Sequence, residues 1–309
     1  MSATGTPPYV WVTHGPGGRG IGNVVVDPQT LTILYATTGG TIFKSIDGGG
    51  NWSAVNPGLG DQEIHTLLMD PGNPSTFYAA TLKGVFKSTD GAANWSATNA
   101  GLTTPYIMAL AIDPQTPSIL YAGTEGQGVF KSIDSGVTWK QVDIALTNPY
   151  VHALAIDPVT PTTLYSGGEG VFKSTDGGNN WREISQGMTL PLVQTLAVDP
   201  KTPDIVYAGV GKGSLWKSTD GGENWKISNA GLPDTAVSDI LIDPEKPSTV
   251  FIATARGVYR SKDGGKNWRE VGTGLSHAMI GPLAFDRQTT TILYAGTLGG
   301  DVYVIHLTR

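Results

Sequence analysis

One eight-residue motif, Ser-x-Asp-x-Gly-x-x-Trp, recurs six times in this chain of 309 residues, one copy departing from it by a single letter. The first copy runs from Ser45 to Trp52 and the last from Ser261 to Trp268. Successive aspartates are 43, 44, 42, 44 and 43 residues apart. Such a period indicates stacked supersecondary units that bury their apolar faces against one another. The motif residues are Asp47, Trp52, Asp90, Trp95, Asp134, Trp139, Asp176, Trp181, Asp220, Trp225, Asp263 and Trp268.

Two further motifs each recur seven times, which indicates seven units rather than six. An apolar strand that ends in Asp-Pro first closes at Pro28, and its seventh copy, Leu-Ala-Phe-Asp-Arg, closes at Arg287. A Leu-Tyr-Ala-like strand also recurs seven times, with its aromatic residue at Tyr35, Tyr78, Tyr121, Tyr165, Tyr207, Phe251 and Tyr294. The seventh unit, from about Ile280, therefore has three strands but neither the aspartate motif nor a fourth strand.

The start of the chain contains the missing fourth strand. Each motif tryptophan lies 18 residues before the aspartate of the next Asp-Pro, and Trp11 lies 16 before Asp27. Trp11 thus occupies the place of a seventh motif tryptophan. We predict that Tyr9–Thr13 pairs with Asp301–His306 and closes the ring, because an open ring would leave unpaired sheet edges.

Each unit shows four short strands with turn signals every 8–12 residues, and no stretch keeps a helical period. In the fourth unit the strands run from Val151–Ile156, the innermost, through Thr163–Ser166 and Gly170–Ser174 to Trp181–Ile184, the outermost. The sequence predicts an all-β, seven-bladed β-propeller of four-stranded antiparallel blades. A single domain should cover 1–309, with blades at about 21–56, 64–99, 107–143, 151–185, 193–228, 237–271, and 279–309 plus 8–14.

Composition excludes several classes of function. The net charge of −6 provides no basic field for nucleic acid. No apolar run approaches the roughly 18 residues of a membrane span, and the first residues do not resemble a signal peptide. The absence of cysteine excludes disulfides and thiolate metal sites. We expect a monomer without cofactor or metal, and the sequence assigns it no compartment.

The aspartate motif is interpreted as structural. Its Ser and Asp oxygens can accept the N–H groups of their own turn, and its Trp can pack between neighbouring sheets. The ligand spacing of a calcium loop is absent. The stretch Gly15–Gly20 matches the dinucleotide fingerprint, but a strand follows it where that fingerprint needs a helix.

The variable positions are the candidates for a binding site. Residues at the start of the innermost strands should surround the central channel on the face opposite the aspartate motifs, together with the turns between second and third strands; we call this the loop face. Polar and aromatic residues there are typical of a ligand site, although a solvated channel mouth without ligand is the alternative. A metal pair of His65 and His152 has no supporting spacing. The predicted ligand-binding residues are Glu63, His65, Tyr106, Met108, Tyr150, His152, Gln194 and Asp239.

The motif and its period resemble the BNR or Asp-box repeat proteins over essentially the whole chain. The resemblance implies a β-propeller but does not imply one activity. Sialidases of this kind hold the substrate carboxylate with three arginines. Of the seven arginines here, only Arg19 and Arg256 are expected on the loop face, so a sialidase is not predicted.

Xyloglucanases are similar in their glycine-rich opening unit. The resemblance places a catalytic aspartate in the turn Ala36–Gly40, where this chain has threonine. Those enzymes also cleave between two propeller domains. Glu125 and Glu169 lie in the corresponding turns of the third and fourth units and could form an acid–base pair, which keeps a glycoside hydrolase as an alternative.

The third similar group contains single seven-bladed propellers of the photosystem II assembly factor type. These act as binding scaffolds, and this comparison requires no residue that the chain lacks. We therefore predict a non-catalytic binding or assembly scaffold with a protein or carbohydrate ligand on the loop face. A polysaccharide hydrolase and a sugar-binding lectin are the alternatives, so the question of enzyme activity stays open.

Overall fold

The computed structural model describes residues 10–60, 62–142, 149–189, 192–211, 213–275, 278–286, 288 and 290–307. Over these residues the chain forms seven four-stranded antiparallel sheets and no helix, so none could cross a membrane. Neighbouring innermost strands contact one another around the whole ring. The predicted all-β, seven-bladed β-propeller is confirmed. Tyr9 of the predicted closing strand and Arg287 of the seventh Asp-Pro-like motif lie outside the described residues.

The strands are numbered along the chain, and each blade runs from its innermost to its outermost strand. The first four blades are β2 (Ile21–Val26), β3 (Leu34–Thr38), β4 (Thr41–Ser45), β5 (Ser53–Ala54); β6 (Ile64–Asp70), β7 (Asn73–Thr81), β8 (Gly84–Ser88), β9 (Ser96–Ala97); β10 (Ile107–Ile112), β11 (Leu120–Thr124), β12 (Val129–Ser132), β13 (Lys140–Val142); and β14 (Ala153–Ile156), β15 (Leu164–Gly168), β16 (Gly170–Ser174), β17 (Arg182–Glu183).

The remaining three blades follow the same order, and the last takes its outermost strand from the start of the chain. They are β18 (Val193–Val198), β19 (Val206–Val210), β20 (Ser214–Ser218), β21 (Lys226–Ile227); β22 (Val237–Ile242), β23 (Val250–Thr254), β24 (Gly257–Ser261), β25 (Arg269–Glu270); and β26 (Ile280–Phe285), β27 (Ile292–Thr297), β28 (Val302–His306), β1 (Val12–Thr13).

The outermost strands contain only two or three residues, fewer than the sequence suggested. In the second, third and sixth blades the motif tryptophan that precedes them bonds through its backbone to the neighbouring blade instead of joining its own ladder. The Trp139 N–H donates to the Ala100 carbonyl at 2.8 Å, and the Trp268 N–H to the Ala230 carbonyl at 2.8 Å. Each of these tryptophans therefore links two blades.

A second contact between blades involves the repeated tyrosine of the second strand and the repeated lysine of the third strand. The Tyr165 hydroxyl and the Lys173 ammonium both donate to the Gly221 carbonyl of the next blade, at 3.3 and 2.9 Å. The Lys173 Nζ also lies 5.5 Å from the Tyr165 ring centroid, within cation–π range. In the sixth blade Phe251 and Arg260 take these two positions, where the next blade has no aspartate motif.

The aspartate motif satisfies the donors of its own turn. In the third blade Asp134 Oδ1 accepts the Ser132 hydroxyl at 2.7 Å and the Thr138 N–H at 2.9 Å. The Gly136 N–H donates to Ser132 Oγ at 2.9 Å. Hydrogen bonds from the Thr138 side chain and backbone, followed by that from Ser132, lower the pKa of Asp134 to about 2. The carboxylate thus acts as a turn cap.

Ring closure occurs as predicted. In β1, Val12 pairs with Val304 and Thr13 with Tyr303 of β28. The His14 N–H continues the ladder to the Val302 carbonyl at 2.7 Å. Strand β1 is consequently the outermost strand of the seventh blade, so the first and last described strands of the chain pair with each other.

Candidate functional site: the loop face of blades two to five

The innermost strands begin with a β-bulge that sets the side chains at the channel mouth. In β6 the pairing passes from Ile64 directly to Thr66, so His65 is the extra residue. Met108 and Gln194 occupy the same place in β10 and β18. In the fourth blade His152 follows the anchor Val151, and its N–H donates to the Gly167 carbonyl at 2.8 Å. Four predicted residues therefore lie at one level of four consecutive blades, and in three of these blades a bulge re-aims the side chain.

The residue before each buried anchor forms a second, outer level. Tyr106 and Tyr150 are 50% and 46% exposed there, next to anchors that are fully or almost fully buried. Leu192 has the same position in the fifth blade and is 45% exposed. Glu63 of the second blade is also exposed at this level. Leu192 is not among the residues predicted from the sequence, although its position before Val193 matches that of Tyr150 before Val151.

Glu125 and Glu169 lie between these outer residues, in the turns from second to third strands. The Glu125 N–H donates to the Tyr106 carbonyl at 3.0 Å, and Glu125 forms a β-bridge with Tyr150 of the next blade. Glu169 forms the equivalent bridge with Leu192. Both glutamates are exposed. The five residues make one continuous row of alternating apolar and acidic positions, which we call the acidic arc: Tyr106, Glu125, Tyr150, Glu169 and Leu192.

A glycine permits the closest approach within the acidic arc. A Cβ atom added at Gly168 would collide with the Tyr150 carbonyl oxygen. Only a residue without a side chain allows the turn of the fourth blade to pack this closely against the segment that carries Tyr150. The position of Tyr150 is therefore set by backbone packing on both sides.

Charges are divided between the two halves of the loop face. Lys83 and Arg256 lie in the turns of the second and sixth blades, and each donates its N–H to the hydroxyl of the threonine two residues before it. Arg19 extends along the turn at Gly39 in the first blade. All three cationic residues are exposed. The turns of blades three and four are acidic, whereas those of blades six, one and two are basic.

Asp239 lies one residue deeper than the bulge and connects two blades. Its carboxylate accepts the Ile240 N–H and, from the seventh blade, the Leu283 N–H, both at 2.8 Å. Asn23 makes the equivalent bond with the Leu67 N–H at 3.1 Å. Burial, which outweighs these hydrogen bonds, raises the pKa of Asp239 to about 6. Asp239 thus links the innermost strands of the sixth and seventh blades through hydrogen bonds to its carboxylate.

The side chains that line the channel change from polar to apolar below its mouth. His65 Nε2 is buried and has no hydrogen-bond partner among the described residues. Those residues also contain no group of three His, Cys, Asp or Glu side chains that could hold a metal ion. Farther in, a cavity of about 640 Å³ is lined by apolar residues of all seven innermost strands, Leu68, Ala155 and Leu241 among them. The channel is therefore apolar below the polar side chains at its loop-face mouth.

Comparison with known proteins identifies structural neighbours only. No protein-family profile and no curated protein matches the chain. A xyloglucanase of family GH74 from Xanthomonas campestris superposes with a TM-score of 0.79 at 20% identity, over 96% of this chain and 53% of that one. The GH74 enzyme from Niastella koreensis gives 0.76 at 19% identity, over 96% and 53%. This chain thus spans about half the length of those enzymes.

A second group of neighbours matches from end to end. YCF48 from Cyanidioschyzon merolae superposes with a TM-score of 0.73 at 15% identity, over 96% of this chain and 98% of that one. A YCF48 bound to D1 peptide gives 0.72 at 16% identity, over 100% and 98%. The similarity to xyloglucanase propellers and to propellers of the photosystem II assembly factor type is confirmed as a likeness of fold.

Proposed function

We propose that this protein is a non-catalytic binding or assembly scaffold that holds a protein partner on the loop face of blades two to five. The observation that carries the proposal is the exposure of Tyr106, Tyr150 and Leu192 at one equivalent position of three consecutive blades. Large aromatic and apolar side chains provide much contact area for little entropy loss, which is why they dominate interface anchors.

The scaffold also supports binding through its rigidity. Each exposed residue directly precedes a buried anchor, namely Ile107, Val151 or Val193, of which none is more than 1% exposed. A partner would meet side chains whose backbone is already held in place, and pre-organisation of this kind lowers the entropic cost of association. The neighbour YCF48 that is bound to D1 peptide supports a peptide as the class of ligand.

The second candidate is a glycoside hydrolase, and the exposed Glu125 and Glu169 on one face favour it. Two carboxylates on neighbouring turns are the groups that retaining and inverting hydrolases use. The GH74 neighbours support the same idea through their fold alone. A sugar-binding lectin would use the same face without turnover.

Affinity capture tests the scaffold. Three proteins are immobilised: the wild type, a Tyr106→Ala/Tyr150→Ala variant and an Ile133→Ala control. The proteins that bind to each are quantified by mass spectrometry. Ile133 is a matched control because it is 70% exposed but lies in an aspartate motif on the opposite face. We expect partners whose yield falls at least about tenfold in the tyrosine variant and not in the control.

Equal yields from all three proteins would contradict the proposal. Release of reducing sugar from xyloglucan by the wild type, abolished by Glu125→Gln or Glu169→Gln, would establish the hydrolase instead. Melting temperatures of all variants are measured alongside, since a change in folding would otherwise imitate a loss of binding.

A further inference from the structure

We infer that the acidic arc selects a cationic peptide segment, one that carries lysine or arginine side chains between apolar or aromatic ones. This inference rests on the proposed function and adds the chemistry of the partner. It concerns Tyr106, Glu125, Tyr150, Glu169 and Leu192, which the backbone contacts place in one row.

The order of the arc is the first argument. Glu125 is bonded through its N–H to the Tyr106 carbonyl and bridged to Tyr150, so Glu125 lies between one tyrosine and the next. Glu169 is placed in the same way before Leu192. A ligand that covers the apolar positions must pass over the carboxylates between them. A side chain that combines a positive charge with an aliphatic stem satisfies both surfaces.

The chemistry of the single groups is the second argument. The Glu125 carboxylate is exposed and makes no side-chain hydrogen bond or ion pair with a described residue. A guanidinium or ammonium group at this point gains a charge-assisted hydrogen bond with the carboxylate. Tyr106 and Tyr150 are the neighbours of Glu125 in the row, and tyrosine rings attract cations. A neutral or anionic segment gains neither interaction.

The charge distribution of the whole face is the third argument. The exposed cationic side chains Arg19, Lys83 and Arg256 lie on blades one, two and six. They disfavour a cationic segment on that half, although blade two also carries the exposed Glu63, and leave blades three and four, whose turns carry Glu125 and Glu169 and none of these three cations, as its complementary surface. Complementary charges of this kind determine specificity and association rate more than total affinity. The arrangement therefore gives the ligand one position on the ring.

Three short synthetic peptides test the inference. Each alternates a variable position with leucine or tyrosine, and the variable position is lysine, glutamine or glutamate. Binding to the wild-type protein is measured by fluorescence anisotropy at about 50 and 500 mM salt, because screening separates charge from apolar contact. We expect the lysine peptide to bind about tenfold tighter than the glutamine peptide at low salt, the glutamate peptide to bind weakest, and the difference to shrink at high salt.

Protein variants locate the effect. Glu125→Gln combined with Glu169→Gln should weaken the lysine peptide about tenfold and leave the glutamine peptide unchanged. Lys83→Gln combined with Arg256→Gln is the matched control, since these charges lie in turns of the same kind on other blades. This control should leave lysine-peptide affinity unchanged or raise it slightly. Melting curves establish that both double variants are folded.

The outcomes separate the inference from the proposed function. The inference is overturned if the wild type prefers the glutamine or glutamate peptide, if it binds none of the three, or if the glutamate variant keeps full lysine-peptide affinity. A partner captured through Tyr106 and Tyr150 would still support the scaffold in each of these cases. Capture that is insensitive to the tyrosines overturns both.

Discussion

The indole N–H of Trp11 donates a hydrogen bond of 2.6 Å to the backbone carbonyl of Val271 and thereby joins the chain start to the sixth blade. Four motif tryptophans make the same bond. Trp225 donates to Ile184 and Trp268 to Ser228, both at 2.7 Å, Trp139 donates to Thr98 at 2.9 Å, and Trp52 donates to His14 at 2.5 Å. In all five cases the acceptor lies three residues after the tryptophan of the preceding blade, and for Trp52 that tryptophan is Trp11. Trp11 therefore performs the structural role of a seventh motif tryptophan.

Replacement of Trp11 should destabilise the whole ring. Trp11 is 4% exposed in a cluster that spans the last two blades, so Trp11→Ala removes a large buried side chain and one buried hydrogen bond. We expect the free energy of unfolding to fall by about 3–5 kcal/mol. Denaturant unfolding followed by fluorescence measures it. Val12→Ala, at a neighbouring position that is 53% exposed, is the control and should cost little. Similar losses for the two variants would contradict the closure role of Trp11.

Asp239 predicts a pH dependence of stability. Its folded pKa of about 6 lies above the ordinary value of 3.8. A raised pKa means that the stabilising contribution of this group is complete below about pH 4 and is lost as the pH rises through about 6. Asp239→Asn should thus stabilise the protein by about 1–2 kcal/mol at about pH 7.5 and have little effect at about pH 4.

Asparagine is a suitable replacement at position 239, because Asn23 of the first blade already accepts the equivalent hydrogen bond from the next blade. Urea unfolding of wild type and Asp239→Asn at the two pH values is the measurement. An unchanged difference between the two proteins across the range would show that the Asp239 carboxyl does not titrate there.

The aspartate motif predicts the opposite pH dependence. Hydrogen bonds lower the pKa of Asp134 to about 2, so its contribution is present above the ordinary value of 3.8 and is lost as the pH falls towards 2. Asp134→Asn should be less stable than the wild type at neutral pH, and the two should converge at about pH 2. Acid unfolding curves test this. A constant difference at all pH values would assign the effect of the substitution to packing rather than to charge.

The tyrosine–lysine contact between blades predicts a modest cost with coupling between the two donors, because they contact each other and share one acceptor. Tyr165→Phe removes the bond to the Gly221 carbonyl, which Lys173 also contacts, and should cost about 1 kcal/mol. Thermal unfolding of Tyr165→Phe, Lys173→Met and the double variant gives their coupling. The sixth blade offers a natural comparison, since it already has Phe251 at this position. A coupling of zero would indicate that the two donors act independently.

Much of the fold was predictable because each blade repeats the same local chemistry. The motif turns, the Asp-Pro turns and the apolar strands occur at a regular period, and the spacing of Trp11 placed the chain start in the last blade. Strand ends were less predictable. The outermost strands are short because the backbone of residues such as Trp139 bonds to another blade. The local sequence does not indicate a hydrogen-bond partner in another blade.

The candidate site depended more on tertiary structure. Tyr106 and Tyr150 were predicted as binding residues from their residue type. Leu192 was added to the site only because the structure places it before Val193 of the fifth blade, where it is exposed. The row that links them to Glu125 and Glu169 arises from backbone contacts between different blades.

The sequence by itself thus determined the number of blades, their order and the closure of the ring, because these follow from short-range turn chemistry and a fixed repeat. Only the tertiary structure decided which side chains meet. It partly buried Asp239 between two inner strands, where the carboxylate accepts a backbone N–H from each, and left Glu125 exposed. Both are acidic residues of a strand or turn, and their difference comes from how closely the neighbouring blade packs against each one.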